Sequence, residues 1–273
     1  MTTPLRLSSA RALSFSQIRR DQAAVLGALA AITTAAWIYT VGQADQMSMS
    51  SGMGGSGMAN TMHSMLTMQP WTNSEFGLRL AMWVVMMVAM MVPTAAPMTL
   101  VYAAVARKAA AQNNPLPPTF VFVAGYVTVW GLFGVLATVA QRELDAVSLL
   151  SPTMASNSAV FGGVVLVTAG IYQLTPLKHA CLKHCRAPAH FLARYWRTGT
   201  LGAFQMGLRL GAYCLGCCWI LMALLFVGGV MNLLWIAAIS AFILLEKTLP
   251  FGERGSRIAG ATAIGARILS IAI

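Results

Sequence analysis

Apolar runs of bilayer-crossing length recur along this chain, and any fold must place each of them away from water. They lie near residues 22–42, 76–106, 118–140, 158–176, 211–230 and 232–249. Each approaches or exceeds the roughly 20 residues a helix needs to cross a hydrocarbon layer. Inside a bilayer no water satisfies backbone polar groups, so segments of this kind cross as helices. The predicted fold is all-α: a polytopic membrane helical bundle of about six transmembrane helices, with a C-terminal interfacial or short seventh helix. Composition agrees, because only 9% of the 273 residues are charged, against roughly 25% in an average soluble domain.

The 18 Lys+Arg outnumber the 7 Asp+Glu and give a formal charge of +11. In a soluble protein that excess would suggest nucleic acid. Here the basic residues sit mainly between apolar runs, where they act as topology signals and lipid-headgroup contacts. The expected partner is therefore the lipid bilayer, and no nucleic acid is expected. Arg6, Arg11, Arg19 and Arg20, the pair Arg107-Lys108, the 177–200 loop with Lys178, Lys183, Arg186, Arg194 and Arg197, and the tail with Arg254 and Arg257 fall on one side. The positive-inside rule makes that side cytoplasmic. The organisation expected is a cytoplasmic N-terminal tail (1–21), a first transmembrane helix (22–42), an exterior Met/Gly/Ser-rich loop (43–75), a transmembrane domain (76–250) and a C-terminal tail helix (251–273). The basic flank of the first run resembles a signal peptide, but the run is longer than an ordinary apolar core and no clear small-x-small cleavage site follows. It reads as a retained helix.

The exterior loop carries Met47, Met49, Met53, Met58, Met62, Met65 and Met68 with His63, among Gly and Ser. Gly and Ser leave it flexible and unable to bury a core. Thioether sulfur suits Cu(I), and imidazole can take copper in either common state. A flexible linker with adaptable methionines is the alternative. The second span continues the theme with Met82, Met86 and Met90 on one helical stripe and Met87 and Met91 on another. Pro93 and Pro97 predict a kink or break there. Such breaks often mark binding sites in transporters, although a Met stripe is also ordinary core packing.

All five cysteines fall between Cys181 and Cys218. In a helix Cys181 and Cys185 lie one turn apart on one face, with His184 adjacent. Cys214, Cys218 and Met222 form a stripe with Cys217 beside it, and are expected to open the fifth span near its cytoplasmic end. Both clusters then share one membrane face, and a site of three or four thiolates becomes geometrically plausible. Lys178, Lys183, Arg186 and Arg209 would favour thiolates there. Cu(I) is the metal expected, with tetrahedral zinc as the alternative. Packing of small residues around Gly211 and Gly216 would explain the same pattern without a metal. The candidate metal ligands are thus Cys181, Cys185, Cys214, Cys217, Cys218, His184, Met82, Met86, Met90, Met222 and His63.

There is no phosphate-binding Gly-rich loop, no zinc-protease motif and no nucleophile elbow. No catalytic residue is assigned, and an enzyme is the less favoured class. Glu246 and Lys247 near the end of the sixth span read as an interfacial anchor, with a functional buried pair as the alternative.

Three stretches carry a family resemblance: Met82-Trp83 through Met90-Met91-x-Pro93, Cys181-Leu-Lys-His-Cys185-Arg186-x-Pro188, and Gly211-Ala-Tyr213-Cys214-Leu-Gly216-Cys217-Cys218-Trp219 with Leu221-Met222. They resemble the hallmarks of a bacterial family described as predicted metal-binding integral membrane proteins, a domain of unknown function, over roughly residues 75–250. The third stretch is the most specific. The resemblance implies a multi-span helical fold and a metal site at the matching Cys and Met positions, and no established reaction. The Met-rich loop lies outside it.

The reading that follows is a multi-pass protein of the bacterial inner membrane, N-terminus cytoplasmic, that handles copper in uptake, transfer or site assembly. Exterior methionines would capture the ion, and thiolates near the cytoplasmic face would hold it. A periplasmic metallochaperone or a membrane complex would be the partner. A membrane thiol redox enzyme and a structural or assembly subunit are the competing classes.

Overall fold

The computed structural model describes residues 5–52, 71–112, 117–151 and 154–249, with residues 255 and 260; for 5–21, 47–52 and 111 it describes the backbone alone. His63, most of the Met-rich loop and almost all of the C-terminal tail lie outside the described residues. The described chain is helical: α1 (Leu5–Gly52), α2 (Asn73–Ala111), α3 (Thr119–Ala146), α4 (Ala159–Leu174), α5 (Pro176–Arg186), α6 (Pro188–Tyr195), α7 (Gly199–Ala223), the single turn α8 (Leu225–Gly228) and α9 (Leu233–Thr248). Helix α1 extends past the apolar run at both ends.

Among the described residues, four segments are long and apolar enough to cross a membrane: Gln22–Gln46, Asn73–Ala110, Thr119–Ala146 and Gly199–Gly228. A fifth crossing requires α4 and α5 together, and these are bent by 65°. Six spans were expected. The shortfall has two causes: the fourth run is divided by a bend, and α9 has only 16 residues, short of the usual length.

Local chemistry explains the boundaries. Helix α2 starts at a capping box, in which Thr72 Oγ accepts from the Glu75 N–H and Glu75 accepts from the Thr72 N–H at 2.8 Å. Helix α4 ends at Thr175, held extended (ψ 145°) ahead of Pro176. Thr175 then caps α5, with Pro176 in its first turn. One Thr-Pro pair thus stops one helix and redirects the next.

The predicted kink or break at Pro93 and Pro97 is not a break. Helix α2 runs unbroken through both prolines. Beside them the Met91 carbonyl takes hydrogen bonds from Thr94 Oγ (2.8 Å) and from the Tyr126 hydroxyl (3.0 Å).

Helices α3 and α7 cross at close range because glycines face backbone there. A Cβ on Gly125 would meet the Phe204 carbonyl, and one on Gly207 the Phe122 carbonyl. On Gly211 a Cβ would stand 2.8 Å from Val129. Small residues four apart permit this approach. At the far end of α3, Trp83 Nε1 donates to Gln141 Oε1 at 2.8 Å, and Gln141 Nε2 donates to the Met154 sulfur at 3.1 Å.

Candidate metal centre

Helix α5 lies against α7, and the two cysteine clusters meet across that contact. Cys181 and Cys185 occupy one face of α5, as their four-residue spacing predicts. The Cys185 thiol lies beside the Cys214 and Cys217 thiols. Gly216 admits Cys181, whose sulfur would stand 2.9 Å from a Cβ at that position. All five cysteines are free thiols. Cys214, Cys217, Cys218 and Met222 are buried, while Cys181 and Cys185 are partly buried.

The cysteines do not open their span. Helix α7 begins at Gly199, because residues 199–210 continue the helix that the apolar run alone placed from 211. Cys214 therefore lies in the second half of α7, about 22 Å along the axis from its start at 1.5 Å per residue.

Cys214 is the most highly connected of the five. Lys247 Nζ donates to its sulfur at 2.8 Å and to Thr94 Oγ at 3.2 Å. The Tyr126 hydroxyl lies 3.0 Å from the same sulfur. Cys217 and Cys218 each turn their thiol back to the Cys214 carbonyl, at 3.0 and 2.9 Å. Among the described residues no group of three or more His, Cys, Asp or Glu side chains is placed to hold a metal ion, so the site of three or four thiolates expected from the sequence is not assembled here.

The basic residues expected to serve the thiols are engaged elsewhere. Lys178 is fully buried and donates to Gln173 and Glu246. Arg186 donates to the Leu249 carbonyl at 2.5 Å, Arg209 lies over the Tyr195 ring, and Lys183 is exposed. Glu246 and Lys247 are 3% and 8% exposed and point into the bundle, so the interfacial-anchor reading is corrected. Lys178 holds one of the pair and Cys214 faces the other.

His184 flanks the thiols. Its ring stacks on Tyr213 at 4.2 Å, and Nδ1 lies 2.9 Å from the Ala180 carbonyl. Met82, Met86 and Met90 are buried, the last two completely, in the same core as the cysteines and Met222. They form a packed row, with Thr94 one turn beyond Met90 on the same helix.

Three contributors escaped sequence reasoning. Lys247 was noticed, but its partner was not. Tyr126 and Thr94 look like ordinary helix residues, and only the glycine crossing of α3 and α7 brings Tyr126 to Cys214.

Soft sulfur donors from two helices in an apolar interior suit a soft cation better than a hard one. The comparisons agree. The family model for PpoB2, described as a copper chaperone, matches residues 80–270, which include every cysteine and the Met row of α2. No curated protein and no solved structure matches the chain. With the matched region covering well over half of its length, the chain belongs to the PpoB2 copper chaperone family.

Proposed function

We propose that this chain is an integral inner-membrane copper chaperone that carries Cu(I) as cargo on thiols shared between α5 and α7. The observation that carries the reading is the seating of α5 on α7, which sets Cys181 against Gly216 and Cys185 beside Cys214 and Cys217, from segments separated by a basic stretch and a helix. Two sulfurs on different helices give a grip that closes and opens with small relative movement. In support of membrane embedding, four segments among the described residues are long and apolar enough to span.

In this reading Cys214 is the anchor, because Lys247 already directs a charged donor at its sulfur. Cys185 and Cys217 are the exchangeable second ligands, with Cys181 and Cys218 beside them. Ligand exchange among neighbouring sulfurs lets the ion leave without a single deep trap. Met82, Met86, Met90 and Met222 provide weaker soft donors in the same core, and His63 with the exterior methionines would meet the ion first. Delivery to a periplasmic or membrane acceptor completes the role.

The test is copper content by elemental analysis of protein purified from copper-supplemented cells. Wild type is expected to retain copper, and the Cys214→Ser/Cys217→Ser/Cys218→Ser variant to lose most of it. Equal content in both would remove the thiol site. Reversible thiol oxidation without bound metal would instead favour a redox enzyme.

A further inference from the structure

We propose that Lys247 selects the charge of the cargo: its ammonium is the counter-ion of a monovalent metal held by two thiolates, and it opposes a divalent ion at the same sulfurs. The proposal rests on the thiol-site reading above and adds to it the choice of ion.

The argument is one of local charge. Lys247 is 8% exposed and has its ammonium 2.8 Å from the Cys214 sulfur. Glu246, its neighbour in sequence, is paired with Lys178. That pair is self-balanced, so neither member offsets charge at the thiols. Among the described residues, Arg186 and Arg209 are engaged with the Leu249 carbonyl and the Tyr195 ring. Lys247 is thus the cation that touches a thiol sulfur, and buried charge is costly unless balanced nearby.

A monovalent ion with two thiolates carries one negative charge, which the single ammonium neutralises. As each metal–sulfur bond forms, a sulfur that was a thiol gives its proton to solvent, and no electron moves. A divalent ion on two thiolates is neutral, which leaves the ammonium unbalanced; a third thiolate would restore the balance, but among the described residues no three Cys, His, Asp or Glu side chains are placed to hold one ion. A divalent ion on four thiolates carries two negative charges and exceeds the one cation present. The arrangement therefore favours a monovalent soft ion over zinc, beyond the preference sulfur gives by itself.

The experiment compares Ag(I), a redox-inert monovalent probe, with Zn(II) by chelator competition on full-length protein in detergent. Wild type, Lys247→Gln, Lys247→Arg and Cys214→Ser are measured. Lys247→Gln is expected to lower the Ag(I):Zn(II) affinity ratio by about tenfold or more, where tenfold corresponds to about 1.4 kcal/mol. Lys247→Arg is expected to keep the ratio within about threefold, since the charge remains. An unchanged ratio in Lys247→Gln, including an equal loss for both ions, overturns the proposal and leaves Lys247 a packing role.

If Lys247→Gln does not fold, X-ray absorption of silver-loaded wild type still decides. Two sulfurs per silver ion are expected. Four sulfurs per ion, or tighter binding of Zn(II) than Ag(I), would overturn the proposal. The Cys214→Ser variant separates the two levels. Undiminished silver binding there sinks the thiol site itself. Lost binding there, with the ratio unchanged in Lys247→Gln, sinks only the selection by charge.

Discussion

Gly216 faces Cys181 so closely that a side chain placed on it would begin 2.9 Å from the cysteine sulfur. This contact sets how near α5 comes to α7, and so how near Cys185 comes to Cys214 and Cys217. The atom in the way is the tip of a rotatable side chain, with the Cys181 Cβ at 3.7 Å. Gly216→Ala should therefore be accommodated by rotation of Cys181. Gly216→Leu cannot be, and should push the helices apart. Copper retained per protein is expected to change little in the alanine variant and to fall by more than half in the leucine variant. Equal retention in the two would mean that the approach of α5 does not govern binding.

The Met row of α2 makes a sharper demand. Met86 and Met90 are completely buried in packed core, so Met→Leu, which nearly conserves volume, should cost less than about 1.5 kcal/mol at each position. If the sulfurs serve copper, Met86→Leu/Met90→Leu should keep its thermal stability and load copper more slowly, with the thiol count unchanged. Copper-loading time courses on proteoliposomes provide the measurement. Wild-type loading kinetics would reduce the row to packing.

Much of this was legible in sequence because membrane helices declare themselves by length and because Cys spacing carries helical periodicity. The face shared by Cys181 and Cys185, and the stripe of Cys214, Cys218 and Met222, follow from 100° per residue. What spacing could not supply was the start of α7. Residues 199–210 include Gln205 and Arg209, which dilute the apolar signal, and so the cysteines looked closer to a membrane face than they are in the helix. Nor could spacing supply partners. Lys178 and Lys247 look alike as cations near helix ends, yet one answers Glu246 and the other Cys214. That division depends on which way α9 is rotated, and its burial pattern of Ile236, Ile239 and Ile243 fixes the rotation only once its neighbours are known. The glycines at 125, 207 and 211 were the readable trace of the α3–α7 crossing, but Gly125 has meaning only beside Phe204.

The Lys178–Glu246 pair is a stability element distinct from the thiols. Removing one partner from a buried ion pair typically costs about 3–5 kcal/mol, because the other charge is left stranded. Lys178→Met and Glu246→Leu should each lower the unfolding temperature strongly. The double variant Lys178→Met/Glu246→Leu should recover much of the loss, since replacing both charges by apolar groups is often neutral. Thermal unfolding in detergent reads this directly. Additive losses in the double variant would show that the two side chains stabilise the bundle independently.

Gln141 ties the opposite end of the bundle together, and its orientation is dictated by chemistry. The Trp83 indole N–H can only donate, so the Gln141 oxygen must face it, at 2.8 Å. The amide nitrogen is then turned to the Met154 sulfur, at 3.1 Å. Met154 has a backbone φ of 57°, a left-handed conformation uncommon for a residue with a side chain. Its thioether also takes a contact from Arg79 at 3.6 Å. Gln141→Leu would leave the buried Trp83 N–H without an acceptor, a loss of about 1–3 kcal/mol, and would free Met154 from one of its two donors. The variant is expected to melt earlier and to be cut faster by protease within the 147–158 connection. Adding Trp83→Phe should restore part of the stability, because no orphaned donor remains. It should not restore protease resistance, because Met154 stays released. Recovery of both together would mean that the connection is held by the indole alone, with the sulfur contact contributing nothing.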